Sequence, residues 1–248
     1  MGRSSRRGTL TYYGDDLALV HQLGFGFHAD ATAPGILAQL EPVRGGLVLE
    51  LGCGSGLLTR YLVEAGHTVV AMDASPAMLA LARETARGAE VRQLVLPDDA
   101  LPHCDAVVSV GHVLSYLSDE AAVDRALAAA ADALRPGGVL ALDLCDLRYG
   151  ESNGDDPNSS RIAEDWAIVT RFSLPRPNLF VREIAAFLRG EDGAWRRDDE
   201  RHENVLVDTA LVPALLAKHG VQARVSESFG EEKLPDGLVA IVGRKVDG

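Results

Sequence analysis

Apolar residues in this chain gather into short runs, and between the runs they recur at helical spacing. Leu47 to Leu51 is apolar except for Glu50, the pattern of a short buried strand. Gly52, Gly54 and Gly56 follow at alternate positions. Leu57, Leu58, Tyr61, Leu62 and Ala65 then repeat along one helical face up to Gly66. Val69 to Met72 reads as a second buried strand ending at Asp73. After it Ser75 suits a helix N-cap, with Pro76 at the first helical position. Val91–Leu96 and Asp105–Val110 give a third and a fourth strand. A helix from Ser118 to Leu134 carries Val123, Leu127, Ala130 and Leu134 on one face and is stopped by Arg135, Pro136, Gly137 and Gly138. Val139 to Leu144 is the fifth strand. Strands alternating with helices predict a parallel sheet with right-handed crossovers, whose ligands bind beyond the carboxyl ends of the strands. Gly52, Asp73, His112 and Asp143 all fall at such ends.

The flanks read differently. Ahead of the first strand, Leu17, Val20, Leu23 and Phe27 suggest one helix, and Ile36, Leu37 and Leu40 another. Asp146 to Arg161, with Gly150, Gly154, Asp155, Asp156, Pro157, Asn158 and Ser159, reads as a polar, mobile loop. Three strand-like runs follow, Trp166–Leu174, Leu179–Leu188 and Trp195–Val207, predicting an inserted antiparallel sheet. A helix from Asp208 or Thr209 and two last strands, Val221–Val225 and Leu238–Val242, return to the core.

Composition narrows the classes. The chain has 248 residues, 47% of them apolar, enough for one large domain or a domain with an insert. No run of eighteen apolar residues suggests a membrane span. Arg3, Arg6 and Arg7 have no hydrophobic segment behind them, so the N-terminus reads as a disordered tail rather than a secretion signal. Cys53, Cys104 and Cys145 lack metal spacing and suggest reduced thiols in a cytoplasmic protein. A net charge of −12 disfavours nucleic acid, whose phosphates want a basic face. Oligomeric state is not legible.

The glycine turn carries the chemistry. Glycine tolerates positive φ and lets a ligand approach the backbone, while the next helix aims its free amides over the turn. The dinucleotide fingerprint G-x-G-x-x-G is not met: the third glycine comes one residue early and Leu57 stands in its slot. E-x-G-x-G-x-G at Glu50–Gly56 resembles motif I of the class I S-adenosylmethionine (SAM) dependent methyltransferases. D-A-S-P-A-M-L from Asp73 resembles their second motif, and L-R-P-G-G-V-L-A-L-D-L from Leu134 their last core motif. The resemblance covers most of Leu47–Lys245. It implies a Rossmann-like, seven-stranded, mostly parallel sheet with helices on both faces and the last strand antiparallel, plus the inserted sheet. It divides the chain into a tail and helical lid (1–40), a SAM-binding core (41–150), a substrate cap (151–207) and a return to the core (208–248).

The resemblance also assigns roles. Asp73 would hold the ribose hydroxyls. Tyr13, Glu50, Gly52, Cys53, Gly54, Gly56, Ala74, Met78 and Val110 would line the cofactor. Asp98 and Asp99 are offered for the adenine amino group, although they stand a residue or two later than the common pattern. His112, in the loop beside the transferable methyl, is the first candidate base and His202 the second, because imidazole titrates near neutrality. Tyr12, Tyr116, Trp166, Arg171, Arg182 and Trp195 are candidates for the acceptor pocket. The N/D-P-P-Y motif of nucleic-acid and glutamine methyltransferases is missing, which points to a small-molecule acceptor. Asp143 and Asp146 lack the following Asp-Asn pair of catechol-type enzymes, so no metal is expected. The implied activity is in-line transfer of the SAM methyl to an oxygen or nitrogen, leaving S-adenosylhomocysteine (SAH). A non-catalytic SAM-binding protein and a nicotinamide dehydrogenase are the rival readings.

Overall fold

The computed structural model describes residues 12–151 and 157–246; Arg3, Arg6, Arg7 and Gly154–Asp156 lie outside them. Seven strands form the main sheet: β1 (Leu47–Leu51), β2 (Thr68–Asp73), β3 (Glu90–Gln93), β4 (Cys104–Ser109), β5 (Leu134–Cys145), β10 (Val221–Ser226) and β11 (Leu238–Lys245). Their order is β10-β11-β5-β4-β1-β2-β3. The pairs among β1 to β5 are parallel, and β11 runs antiparallel to both β5 and β10. The chain lays β2 and β3 to one side of β1 and then crosses over to place β4 on the other. That reversal leaves a crevice above the carboxyl ends of β1 and β4, where open α/β sheets take their ligands.

Alternation along β1 shows why both faces are covered. Leu49 and Leu51 pack with Val107, Leu140, Leu142 and the Val123–Leu127–Ala130 face of α5 (Glu120–Ala133). Val48 faces the other way, onto Ile36 and Leu40 of α2 (Phe27–Leu40) and Leu58 and Leu62 of α3 (Leu57–Glu64). Each such side chain, fully buried, stabilises the fold by roughly 1.5–3 kcal/mol. Burial on both faces is what makes these parallel strands continuous apolar runs in the sequence.

A second sheet is an antiparallel meander of β6 (Asn158–Ile162), β7 (Trp166–Arg176), β8 (Leu179–Arg189) and β9 (Trp195–Val205). The N-terminal helix α1 (Asp15–Gly24) lays Leu17 and Val20 on its Ile168, Ile184, Ala186 and Leu188. Lid and insert thus share one small core. The chain re-enters the main sheet beside β5, where the Val207 amide donates to the Cys145 carbonyl, and α6 (Val212–Lys218) follows.

Four sequence expectations change. Asn158–Ile162, expected in a loop, pairs with β7; all five residues are exposed, so no apolar rhythm marks the strand. β3 is an edge strand that ends at Gln93 rather than Leu96, because its only partner, β2, ends at Asp73. β5 begins at Leu134: Arg135 to Gly138 form an irregularity within it, between the Cys104–Leu134 and Ala106–Val139 pairings, rather than a stop before it. Phe27 opens α2 instead of closing α1, and both it and Leu23 are exposed. Among the described residues no helix is long and apolar enough to cross a membrane.

Candidate active site

The glycine turn puts three residues to three uses. Gly52, at φ +70, lies against Val113 so closely that a Cβ would come within 2.3 Å of its methyl group. Gly56 packs against Ala82 of α4 (Pro76–Thr85) and against Ala86, which caps that helix. Gly54, at φ +53, has nothing nearer to its Cβ position than the Met78 sulfur at 4.0 Å, so its floor is open. The Gly54 amide donates to Asp73 Oδ2 at 2.9 Å, and the Ser75 amide to Oδ1 at 2.8 Å. Burial raises the Asp73 pKa, and these backbone donors pull it back. Each carboxylate oxygen keeps a lone pair for a further donor. Glu50 is buried beneath the turn with Thr59 Oγ1 donating to it at 2.6 Å. Burial pushes its pKa to about 8, against that hydrogen bond and with the Asp73 charge adding to the rise.

The loop after β4 is held by Asp143. Gly111 and His112 both take positive φ, +96 and +51, and turn successive amides onto this one carboxylate. Gly111 N donates to Oδ2 at 2.9 Å and His112 N to Oδ1 at 2.6 Å. Burial lifts the Asp143 pKa to about 7 while the two amides lower it. Placing the His112 ring in the cleft therefore depends on an acid at the end of β5.

From the other side β8 and β9 contribute Arg182 and His202, which stand opposite each other in the antiparallel register. Glu200, His202 and Asn204 alternate along β9 and share one face. Glu200 Oε2 lies 2.7 Å from His202 Nε2, and the His202 Nδ1 is 3.3 Å from the Tyr116 hydroxyl. The Tyr116 hydroxyl is 2.9 Å from that of Tyr13 and accepts a hydrogen bond from Arg182. Arg182 Nη2 also reaches His112 Nε2 at 3.3 Å and donates to Asn204 Oδ1 at 3.2 Å. Glu200 further anchors the lid, accepting from the Tyr13 and Gly14 amides at 2.8 and 2.7 Å. Burial pushes the Glu200 pKa up, but the His202 and amide donors outweigh it and the net shift is downward. His112 is held well below the ordinary histidine value by burial and by the Arg182 charge. His202 is lowered by burial, with Glu200 opposing.

Two cavities adjoin across the turn, sharing Tyr13, His21, Gly52, Gly54, Val110 and Gly111. One, of about 220 Å³, is a mostly apolar slot between Met78 and Leu94–Leu96, with Asp73 and Ala74 in its wall and Tyr12 and Tyr116 at its lid side. The other, of about 320 Å³, runs from Glu50 and Cys53 past His112 and Asp143 to Arg182. Most of the expected contact residues therefore meet in one cleft. Gly56, Asp99, Trp166, Arg171, Trp195 and His202 do not line either cavity. Asp99 Oδ2 instead accepts from the Val95 amide of its own turn, and Asp98 lines a third cavity, near Asp119 and Arg125, that shares Tyr12, Val95, Leu96, Tyr116 and Leu117 with the slot. Leu94, Val95 and Leu96 line the slot, and neither Asp98 nor Asp99 does. Arg171 pairs with Glu183 on the exposed face of the insert, Trp166 packs on α1, and Trp195 is 51% exposed. His202 is fully buried behind Tyr12 and Tyr13, whose rings lie 4.8 Å from its own. Asp143 supports the cleft from a strand end, as its position implied. His21, Phe25, Tyr149, Arg161, Thr170 and Phe172 line the larger cavity without a sequence signal. The period-two alternation of Glu200, His202 and Asn204 was the signal available for the buried face of β9. No cluster of metal-ligating residues occurs among the described residues.

Residues 48–138 match a family model described as a methyltransferase domain. The malonyl-[acyl-carrier protein] O-methyltransferase of Pectobacterium atrosepticum is 39% identical over 106 residues, 42% of this chain and 41% of that protein. The dTDP-3-amino-3,6-dideoxy-alpha-D-glucopyranose N,N-dimethyltransferase of Streptomyces fradiae is 27% identical over 146 residues, 56% of this chain and 57% of that protein. Across the curated relatives the matches span between 37% and 65% of their own lengths. The crystal structure of the sugar N-methyltransferase KedS8 from Streptoalloteichus has the same fold. Its TM-score is 0.78 at 23% identity, over 99% of this chain and 100% of that one.

Proposed function

We propose that the chain is a class I SAM-dependent methyltransferase that transfers the methyl group of SAM to an oxygen or nitrogen of a small molecule. The observation that carries this reading is the adjoining pair of cavities. The smaller suits a nucleoside: an apolar slot for a flat base, Gly54 leaving the backbone bare, and Asp73 with lone pairs to spare for two ribose hydroxyls. Glu50, buried and short of donors, suits the ammonium of the amino-acid end. When bound, SAM supplies an electrophilic methyl on a cationic sulfur. Relatives named for oxygen and for nitrogen methylation support both acceptor atoms.

The residues around the larger cavity then position the acceptor and take up its proton. His112 is the weaker candidate base. A guanidinium can only donate, so His112 Nε2 must be the bare nitrogen facing Arg182; protonating it would set two cations 3.3 Å apart. We assign the base role to His202, acting through tyrosine hydroxyls. Ionised Glu200 holds the His202 proton on Nε2, which leaves Nδ1 to accept from Tyr116, and Tyr116 to accept from Tyr13. Tyr13 reaches the cleft and is the point where a hydroxyl acceptor would pass its proton inward. An amine need only arrive neutral.

Incubation with methyl-labelled SAM and panels of small alcohols, phenols and amines tests the reading. Label in a small-molecule product is expected. SAH binding without transfer to any acceptor would favour a non-catalytic SAM-binding protein, and hydride transfer with a nicotinamide cofactor would favour a dehydrogenase.

A further inference from the structure

Arg182 is a half-buried cation without an anion. Its Nε is sealed from solvent and has no hydrogen-bond partner, and the amide nitrogen of its neighbour Asn204, a fully buried side chain, is equally unpartnered. The groups that do touch the guanidinium are neutral: the Tyr116 hydroxyl, the His112 ring and the Asn204 carbonyl oxygen. Among the described residues no carboxylate lies within ion-pair distance of it. Burying a charge and leaving donors idle costs free energy unless a partner arrives. The wall around it has one sign. The insert sheet faces the cavity with Ser159, Arg161, Ile168, Thr170, Phe172, Arg182 and Ile184, and its only charges are the two arginines, in a chain whose net charge is −12. Arg161 has no carboxylate partner among the described residues either; it lies over the Phe25 and Phe27 rings at 5.0 and 4.9 Å. The cavity's acids are Glu50, which accepts from Thr59 beneath the glycine turn, and Asp143, whose two oxygens are taken up by the Gly111 and His112 amides.

We infer that the acceptor is an oxyanion, a carboxylate or phosphoryl group attached to an apolar or aromatic ring, and that Arg182 binds this group with Arg161 at the entrance. The inference rests on the methyltransferase reading and adds the acceptor's charge. The arrangement sorts two ligands by sign: a cationic donor toward Glu50, an anionic acceptor toward the arginines. A planar guanidinium matches two oxygens of one group, and Phe172, Ile168 and Ile184 provide the apolar wall for the ring.

Titrating the full chain with benzoate, phenyl phosphate and benzamide, with and without SAH, tests this by calorimetry. The three probes share a ring and differ in charge, and the first two separate the carboxylate from the phosphoryl source. At least one anion is expected to bind about tenfold more tightly than benzamide. Arg182→Met should erase that preference, leave benzamide binding unchanged and keep SAH affinity; Arg182→Lys should restore part of it. Arg161→Gln alters an exposed side chain and should weaken the preferred anion about threefold. Equal binding of benzamide and both anions, or no binding by any of them, overturns the proposal. So does a loss of SAH affinity in Arg182→Met, which would mean that the guanidinium serves the cofactor. Failure of SAH to bind the unaltered chain would instead strike the cofactor reading, and the titrations without SAH still decide the anion question.

Discussion

The two sides of the cleft are made from different materials. On the core side the contacts come from backbone: glycines with open floors, and amides of Gly54, Ser75, Gly111 and His112 fixed on the carboxylates of Asp73 and Asp143. On the insert side they come from long side chains, Arg182 and His202, which meet Tyr116 from the loop after β4 and, through it, Tyr13 from ahead of α1, with donors left idle. Backbone and short acids at strand ends have little freedom to move, which fits a ligand that never changes. A wall of side chains on an inserted sheet can be recut by substitution without disturbing the parallel core. We accordingly assign the cofactor to the fixed geometry and the acceptor to the unsatisfied chemistry.

The sharpest way to break the comparison is to strike the core side. Asp73→Ala removes the partner of the Gly54 and Ser75 amides and the acceptor for ribose, so SAH affinity should fall about 10²- to 10³-fold by calorimetry. Retained affinity would take the ribose assignment away.

The next largest effect belongs to the insert side. His202→Gln should lower turnover of a hydroxyl acceptor roughly 10²-fold and leave SAH affinity unchanged. The pH profile sharpens the point. His202 must be neutral to take a proton, and burial holds its pKa below the ordinary 6.5. Turnover should therefore be level above neutrality and fall as pH drops below about 6.5. The variant should lose that acid limb; an unchanged profile would place the base elsewhere.

Glu50→Gln separates stability from binding. The unfolded carboxyl titrates near 4.5 and the folded one near 8. Between those values the folded protein holds a proton that the unfolded chain has released. Stability is thus fully present below about 4.5 and declines as pH rises toward 8. The glutamine variant should flatten that slope and raise ligand-free stability at pH 8 by roughly 1–3 kcal/mol, while binding SAM less well. Thermal denaturation at pH 5 and pH 8 reads both slopes; parallel slopes would remove the charge argument. The smallest effect is expected at Asp99→Asn, which should leave SAH affinity within about twofold, because this acid caps its own turn.

Legibility followed the same division. β1, β2, β4 and most of β5 were visible because both of their faces are buried and their sequences are largely apolar, whereas β3, Glu90–Gln93, is an exposed edge strand. Glu50, Gly54 and Asp73 were visible because they sit in the glycine turn after β1 and at the end of β2, where the motif spacing is local. β6 was not, since a strand of five exposed residues is held by backbone pairing alone. Edge strand β3 ends early, so Leu94–Leu96, rather than Asp98 or Asp99, line the slot beside Asp73. Arg182, Tyr116 and His202 were each singled out, but their contact depends on the β8–β9 register and on where the loop after β4 lands. No local pattern records either.

The most direct test is a crystal structure of the full chain with SAH. The purine is expected between Met78 and Leu94–Leu96, the ribose hydroxyls on Asp73, and the sulfur directed toward His112 and the arginine-lined cavity. SAH bound outside this cleft, or its ribose held by residues other than Asp73, would contradict the account.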